Sequence, residues 1–188
     1  MSPYVLALDP TIANTGWSVW KVKNKKWSMV ECGLVATKSE SAKRKIFSGD
    51  DTTRRWEEIL DELIRLHEKY SFSALVSEIT PGGVQNATAA KSLFGAQALV
   101  IAFAKVSGIP KMFVKPKDIK LALCQNGTAS KDDMMYQAHK LTGGAKNFIN
   151  KSTGNILKKF EHPADSIGAF YAVKNHDIIK MMEQACES

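Results

Sequence analysis

Four side chains in this sequence are of the kinds that hold hard cations and move protons: Asp9, Glu78, His162 and Asp165. Asp9 ends the apolar run Tyr4-Val5-Leu6-Ala7-Leu8 and precedes Pro10 and a polar turn that closes at Thr15-Gly16-Trp17. Glu78 ends a second run, Ala74-Leu75-Val76-Ser77, shortly before Pro81-Gly82-Gly83. Short apolar runs bounded by turn residues read as buried strands, so each acid is delivered to the rim of a core by a rigid element. His162 and Asp165 flank Pro163, a residue suited to a first helical turn, and their spacing puts both on one face of that helix. Each feature has a plainer reading. Asp9-Pro10 can open a turn, Glu78 can be half of a salt bridge, and Glu161 or His162 can cap the helix. Two strands and one helix start that all deliver such groups make a shared site the better reading.

Such a cluster of acids would repel itself and push its own pKa values upward unless a cation joined it. Carboxylate oxygens with one imidazole suit Mg²⁺, with Mn²⁺ as a substitute. Two such ions, about 3.5–4 Å apart, can activate water and stabilise the leaving oxygen of a phosphodiester. No Gly-x-Gly-x-x-Gly run or paired-histidine motif supports another cofactor. The three cysteines, Cys32, Cys124 and Cys186, are widely spaced and odd in number, which reads as reduced intracellular thiols.

The elements that must position these groups follow from hydrophobic period. Residues 17–22 and 27–36 alternate as half-buried strands, so the chain opens with an antiparallel meander. Residues 37–53, with Lys43-Arg44-Lys45 at their centre, read as a mobile charged loop. Trp56, Ile59, Leu60, Leu63 and Leu66 make the apolar stripe of a helix over residues 53–70. A second helix, over residues 86–107, is apolar nearly all round between Leu93 and Val106. It is too short to span a membrane, so both sides need protein, and a homodimer across it is inferred. A strand at residues 111–114, a short helix opening at Lys115-Pro116, a helix from Ser130 to about residue 141, and a last helix after Pro163 complete the order. Residues 145–160, Gly-, Asn- and Lys-rich with no acid, read as a flexible basic loop.

The chain has 188 residues, 44% of them apolar, a length expected of one domain over residues 1–188. Its net charge of +7 suits a polyanion. Lys91, Lys115, Lys117, Lys120, Ser130, Lys131, Lys151 and Lys158 are the candidate DNA-binding residues, several of them near helix N-termini, where amides and lysines seat phosphates. The start, Met1-Ser2-Pro3, does not resemble a signal peptide, and an intracellular location is expected.

Asp9-Pro10, Thr15-Gly16-Trp17, the strand ending in Glu78, the apolar helix after it and His162-x-x-Asp165 together resemble the RuvC family of Holliday junction resolvases. The resemblance implies an RNase H-like α/β fold, with a five-stranded mixed sheet, three antiparallel strands then parallel ones, flanked by helices. It implies a dimer that nicks four-way DNA junctions with Mg²⁺ or Mn²⁺, with Asp9, Glu78 and Asp165 as metal carboxylates, His162 at a fourth position, and the apolar helix at the dimer interface. Thr11 stands where the family usually has Gly, which implies a differently shaped first turn. Pro81 stands where the family often has a junction-stacking aromatic. The long basic segments resemble phage or organellar branches and imply activity on other branched DNA. Three other classes share features with this chain: an actin-like or sugar-kinase ATPase, an RNase H-like nuclease of RNA, and a non-catalytic branched-DNA binder. ATP turnover without DNA marks the first, cleavage of structured RNA or a hybrid the second, and salt-sensitive binding without metal-stimulated cleavage the third.

Overall fold

The computed structural model describes residues 1–40, 47–79 and 87–186. β1 (Tyr4–Asp9), β2 (Asn14–Lys23) and β3 (Lys26–Ala36) form the antiparallel meander. Its second turn, Asn24-Lys25, takes φ values of 51° and 58°, the left-handed geometry that a two-residue hairpin requires. β4 (Ala74–Glu78) then pairs parallel to β1, and β5 (Lys111–Val114) parallel to β4. The sheet order is β3-β2-β1-β4-β5, with β1 at the centre. A strand paired on both edges and covered on both faces must be apolar throughout, and Val5, Leu6, Ala7 and Leu8 are fully buried.

Alternation along β1 divides the core in two. Leu6 and Leu8, with Val19 and Leu75, face α1 (Ser48–Tyr70) and α2 (Ala87–Val106), where Ile59, Leu63, Leu66, Val100 and Phe103 meet them. Val5 and Ala7, with Ala74, Val76 and Met112, face the opposite way. They are covered by α3 (Pro116–Cys124), α4 (Lys131–Thr142), α5 (Glu161–Val173) and α6 (Asp177–Ala185). Phe170 of α5 stacks on Trp20 of β2 with centroids 4.0 Å apart, which locks α5 against the meander.

Three local expectations change. α1 begins at Ser48, not near residue 53. Its first-turn Asp51 is buried, accepting from Arg54 at 2.7 Å and from Ser39 at 2.8 Å, so charges that suggested a loop are satisfied inside a helical turn. The Lys43-Arg44-Lys45 run and Pro81 lie outside the described residues.

The second change concerns residues 145–160, which are not a flexible loop. Gly144–Phe148 and Lys158–Phe160 are 3₁₀ turns, and Ile149 bridges Ile156. Ala145, Phe148 and Phe160 belong to the core, with the two phenyl rings 5.2 Å apart. Three scattered apolar anchors show no period, yet they tie down the polar residues between them. Third, α6 follows α5, its N-terminus capped by the His176 ring accepting from Ile178 at 3.3 Å. Among the described residues, no helix is long and apolar enough to cross a membrane.

Candidate active site

The site begins with a register. Leu8 of β1 pairs with Ser77 of β4, so the next residues, Asp9 and Glu78, end neighbouring parallel strands side by side. In-register neighbours share a face, and alternation puts Asp9 on the face of Val5 and Ala7, and Glu78 on that of Ala74 and Val76. That is the face α5 covers. The first turn of α5 carries His162, whose Nδ1 lies 2.6 Å from Asp9 Oδ2. Asp165 follows one turn later, on the same side of the helix.

What lets α5 come so close is Gly16, the partner of Asp9 across β1 and β2. A Cβ at Gly16 would lie 2.2 Å from both the carbonyl carbon and oxygen of His162 and 2.6 Å from Pro163 N. Backbone meets backbone there, and only glycine leaves room. The turn between the strands is held by Thr11, whose hydroxyl donates to the Asn14 carbonyl at 3.0 Å and accepts from Asn14 N at 3.1 Å. Thr11 thus organises the turn.

The electrostatics are those of crowded acids. Burial, then the charges of Asp9 and Asp165, push the Glu78 carboxyl up to about 8, while Lys120 pulls it back. Asp165 is pushed up to about 7 by burial and by Asp9 and Glu161, against the opposing pull of His162 and Lys131. Burial of the His162 ring works against its charge, but the hydrogen bond to Asp9 and the surrounding carboxylates win and hold its pKa above the usual value. Like charge crowds both raised carboxyls, and all four donors are oxygens or an imidazole nitrogen. That donor set fits a hard divalent cation. Among the described residues, no three His, Cys, Asp or Glu side chains are grouped closely enough to hold an ion as they stand.

Two of the eight expected DNA-binding residues, Lys120 and Lys131, act on the acids directly. Lys131, at the start of α4, forms an ion pair with Glu161, the buried residue before His162. Glu161 is therefore held by a lysine, and it caps nothing. Lys158 lines, with Lys131 and Ser130, a cleft of about 370 Å³ beside that pair. The Ser130 hydroxyl is taken up in a capping box, donating to Asp133 at 2.7 Å and accepting from Asp133 N at 3.1 Å. Lys91, Lys115, Lys117 and Lys151 are exposed: Lys91 on α2, Lys115 directly after Val114, the register partner of Glu78, Lys117 in the first turn of α3, and Lys151 in the segment between the two 3₁₀ turns. The sequence does not mark Gly16 as a site residue: it reads there as the close of a polar turn and as part of the Thr15-Gly16-Trp17 motif, and neither signal says that a helix packs against it.

The family described as Crossover junction endodeoxyribonuclease RuvC matches residues 5–144, a span that holds Asp9 and Glu78 and ends before α5. A relative of that name in Brachyspira hyodysenteriae is 27% identical over 153 residues, covering 81% of this chain and 88% of its own. Another, in Treponema denticola, is 27% identical over 169 residues and covers 90% of this chain and 84% of its own, so the likeness extends well past residue 144. The fold is similar to that of Thermus thermophilus RuvC in complex with Holliday junction substrate, with a TM-score of 0.67 at 19% identity over 90% of this chain and 91% of that one. It is also similar to the yeast mitochondrial Holliday junction resolvase, with a TM-score of 0.61 at 14% identity over 99% and 83% of the two chains. With the mixed sheet, the paired strand-end acids and a family match over most of its length, this chain belongs to the RuvC family of crossover junction endodeoxyribonucleases.

Proposed function

We propose that this chain nicks four-way DNA junctions by metal-dependent phosphodiester hydrolysis, and that Asp9, Glu78, His162 and Asp165 are the residues that carry it. The observation that bears most weight in support is the convergence on one sheet face: Asp9 and Glu78 end neighbouring strands, His162 bonds Asp9 from the start of α5, and the charges of Asp9 and Asp165 are felt at Glu78. A divalent cation bound there, Mg²⁺ or Mn²⁺ and in all two per site, would supply an activated water and charge stabilisation for the leaving oxygen.

The chain's own residues do the rest. Asp9, Glu78 and Asp165 offer carboxylate oxygens from rigid elements, so their reach varies little. His162 keeps the Asp9 carboxylate oriented through the 2.6 Å bond. Lys120 and Lys131 offset the acids' charge and meet the scissile phosphate. Lys91, Lys115, Lys117, Lys151 and Lys158, with the α4 N-terminus at Ser130, contact the flanking backbone.

Paired nicks need two sites, and α2 supplies the surface for a homodimer. Its inner side packs through Ala96, Val100, Phe103 and Ala104, but Phe94, Ala98 and Ile101, spaced i, i+4, i+7 on one face, are exposed, the two large residues by 56% and 41%. Single exposed apolar residues are ordinary; a row of them along one helix marks an interface.

The direct test is cleavage of a four-way junction in Mg²⁺, in Mn²⁺ and in chelator, beside linear duplex, an RNA–DNA hybrid and structured RNA. Asp9→Asn is expected to lower junction cleavage by two or more orders of magnitude, since several kcal/mol of charge stabilisation depends on that ligand, while junction binding persists. An Asp9→Asn protein that nicked at the parental rate would remove Asp9 from the reaction.

A further inference from the structure

Between the N-terminal turns of α1 and α2 lies a groove of about 720 Å³ that the acid site does not use. Phe47, the residue just before α1, stands at its lip 73% exposed. Trp56, two turns into α1, lies half-buried along its wall. Both rings rest on glycine backbone. A Cβ at Gly49 would come within 2.6 Å of Phe47 Cε1, and a Cβ at Gly95 within 2.8 Å of Trp56 Cζ2. Lys91, one turn before Gly95 and hence on the same face of α2, lines the groove beside Ser92, and among the described residues no acidic side chain lines it.

The groove opens at the same end of the sheet as the acids, on the face opposite the one α5 covers: α1 runs into the start of β4 and α2 leaves from its end, so both helix N-termini lie where β4 finishes. α2 is the next described element after β4, which ends in Glu78. α1 is fastened to the turn that follows Asp9: Arg55 Nε donates to Thr37 Oγ1 at 2.8 Å, Thr37 N donates to the Ala13 carbonyl at 3.0 Å, and the Thr37 hydroxyl donates to the Ile12 carbonyl.

We propose that this groove takes one unpaired nucleotide from the branch point of the DNA, its base stacked on Phe47 and its phosphate on Lys91. The proposal rests on the junction-nicking reading above. A branch point opened for cleavage exposes bases that have lost a stacking partner, and every base has a π-face, so an exposed ring accepts any of them. A ring, a lysine and hydroxyls without an acid are complementary to a nucleotide. A purely apolar partner would leave Lys91 without a counter-charge, and a basic partner would meet Lys91 as a like charge. Phe47 is a stacking platform held in place by the glycine beneath it.

The test uses an immobile four-way DNA junction carrying 2-aminopurine at the branch point, titrated with the full chain in chelator. The parent protein is expected to change the 2-aminopurine fluorescence on binding. Phe47→Ala is expected to abolish that change and weaken junction binding about tenfold, as loss of one stacked base does, with linear-duplex affinity unchanged. Phe47→Trp restores both. Phe47→Ala that binds and quenches like the parent, or that weakens duplex and junction alike, overturns the proposal. So does a change in oligomeric state by sedimentation with stacking intact, which would make the groove a protein interface. Mg²⁺-dependent cleavage of the same junction by the parent is measured in parallel. A parent that stacks the base yet cleaves nothing leaves the groove standing and removes the nuclease reading.

Discussion

The bond between His162 and Asp9 shows how this site balances charge at the residue scale. One carboxylate has an imidazole within 2.6 Å, while Glu78 and Asp165 are left half-buried, their pKa values pushed up to about 8 and about 7. The consequence for stability has a definite sign. A group whose folded pKa exceeds its unfolded value, here 4.5 for Glu78 and 3.8 for Asp165, stabilises the fold fully below the unfolded value and loses that contribution as pH rises through the folded one. His162, raised by its carboxylate neighbours, acts in the same direction. Asp51, held down at about 2 first by its Arg54 hydrogen bond, acts oppositely and loses its contribution as pH falls from 3.8 towards that value. In chelator, the melting temperature is therefore expected to fall as pH rises from about 5 to 8, every tenfold difference in proton affinity between the folded and unfolded chain being worth about 1.4 kcal/mol at full effect. Glu78→Gln flattens the slope, and Mg²⁺ reverses it. Calorimetry across that range checks this; a Glu78→Gln curve parallel to the parent's removes Glu78 from the account.

At the scale of elements, the decisive contact is between β2 and the first turn of α5. The missing Cβ of Gly16 is what lets the His162 carbonyl sit over the strand beside Asp9. Gly16→Ala must drive backbone from backbone, since no flexible side chain is there to yield. It is expected to cost about 1–3 kcal/mol of stability, as overpacking does, and to reduce cleavage far more than junction binding because His162 and Asp165 move with the helix. Denaturant unfolding, junction binding and cleavage measured together separate the two effects. Unchanged cleavage in the folded variant would show that α5 can retreat without harm. This contact is illegible in the sequence: Gly16 reads there as the close of a polar turn, and nothing local says what packs against it. The segment over residues 145–160 misleads for a similar reason. Phe148 and Phe160 anchor it to the core, but two isolated aromatics carry no period to be read.

For the molecule as a whole, the unpaired side of α2 is the feature that asks for a second copy. Charge placed in the row Phe94, Ala98, Ile101 would be buried at an apolar interface and strongly disfavoured there. Ile101→Glu is expected to give a monomer by sedimentation while keeping the fold by circular dichroism, since Ile101 is 41% exposed in the single chain. Its nicks on the two strands of a junction should then appear independently, and paired cutting should fall about tenfold or more if each coupled site loses at least about 1.4 kcal/mol of association. A variant that stays dimeric would move the interface elsewhere.

How much of this protein is legible in its sequence follows a physical line. Strand ends, helix starts and their acids are local properties, written in apolar runs, period and turn residues; Asp9, Glu78, His162 and Asp165 are visible on those grounds. The fold class follows from the order of the elements together with the family resemblance. Which face of β1 looks towards which helix, and therefore whether the acids meet, is not local. It depends on the register of Leu8 with Ser77 and on α5 lying across that face, contacts between residues as far apart as Asp9 and His162, 153 positions along the chain. The pairing of Glu161 with Lys131, the space at Gly16 and the groove at Phe47 depend likewise on packing between distant segments. The chain's own pattern marks the candidate groups. Tertiary packing chose their neighbours, because only close approach through a folded core brings charges, backbones and rings from separate elements within a few ångströms of one another.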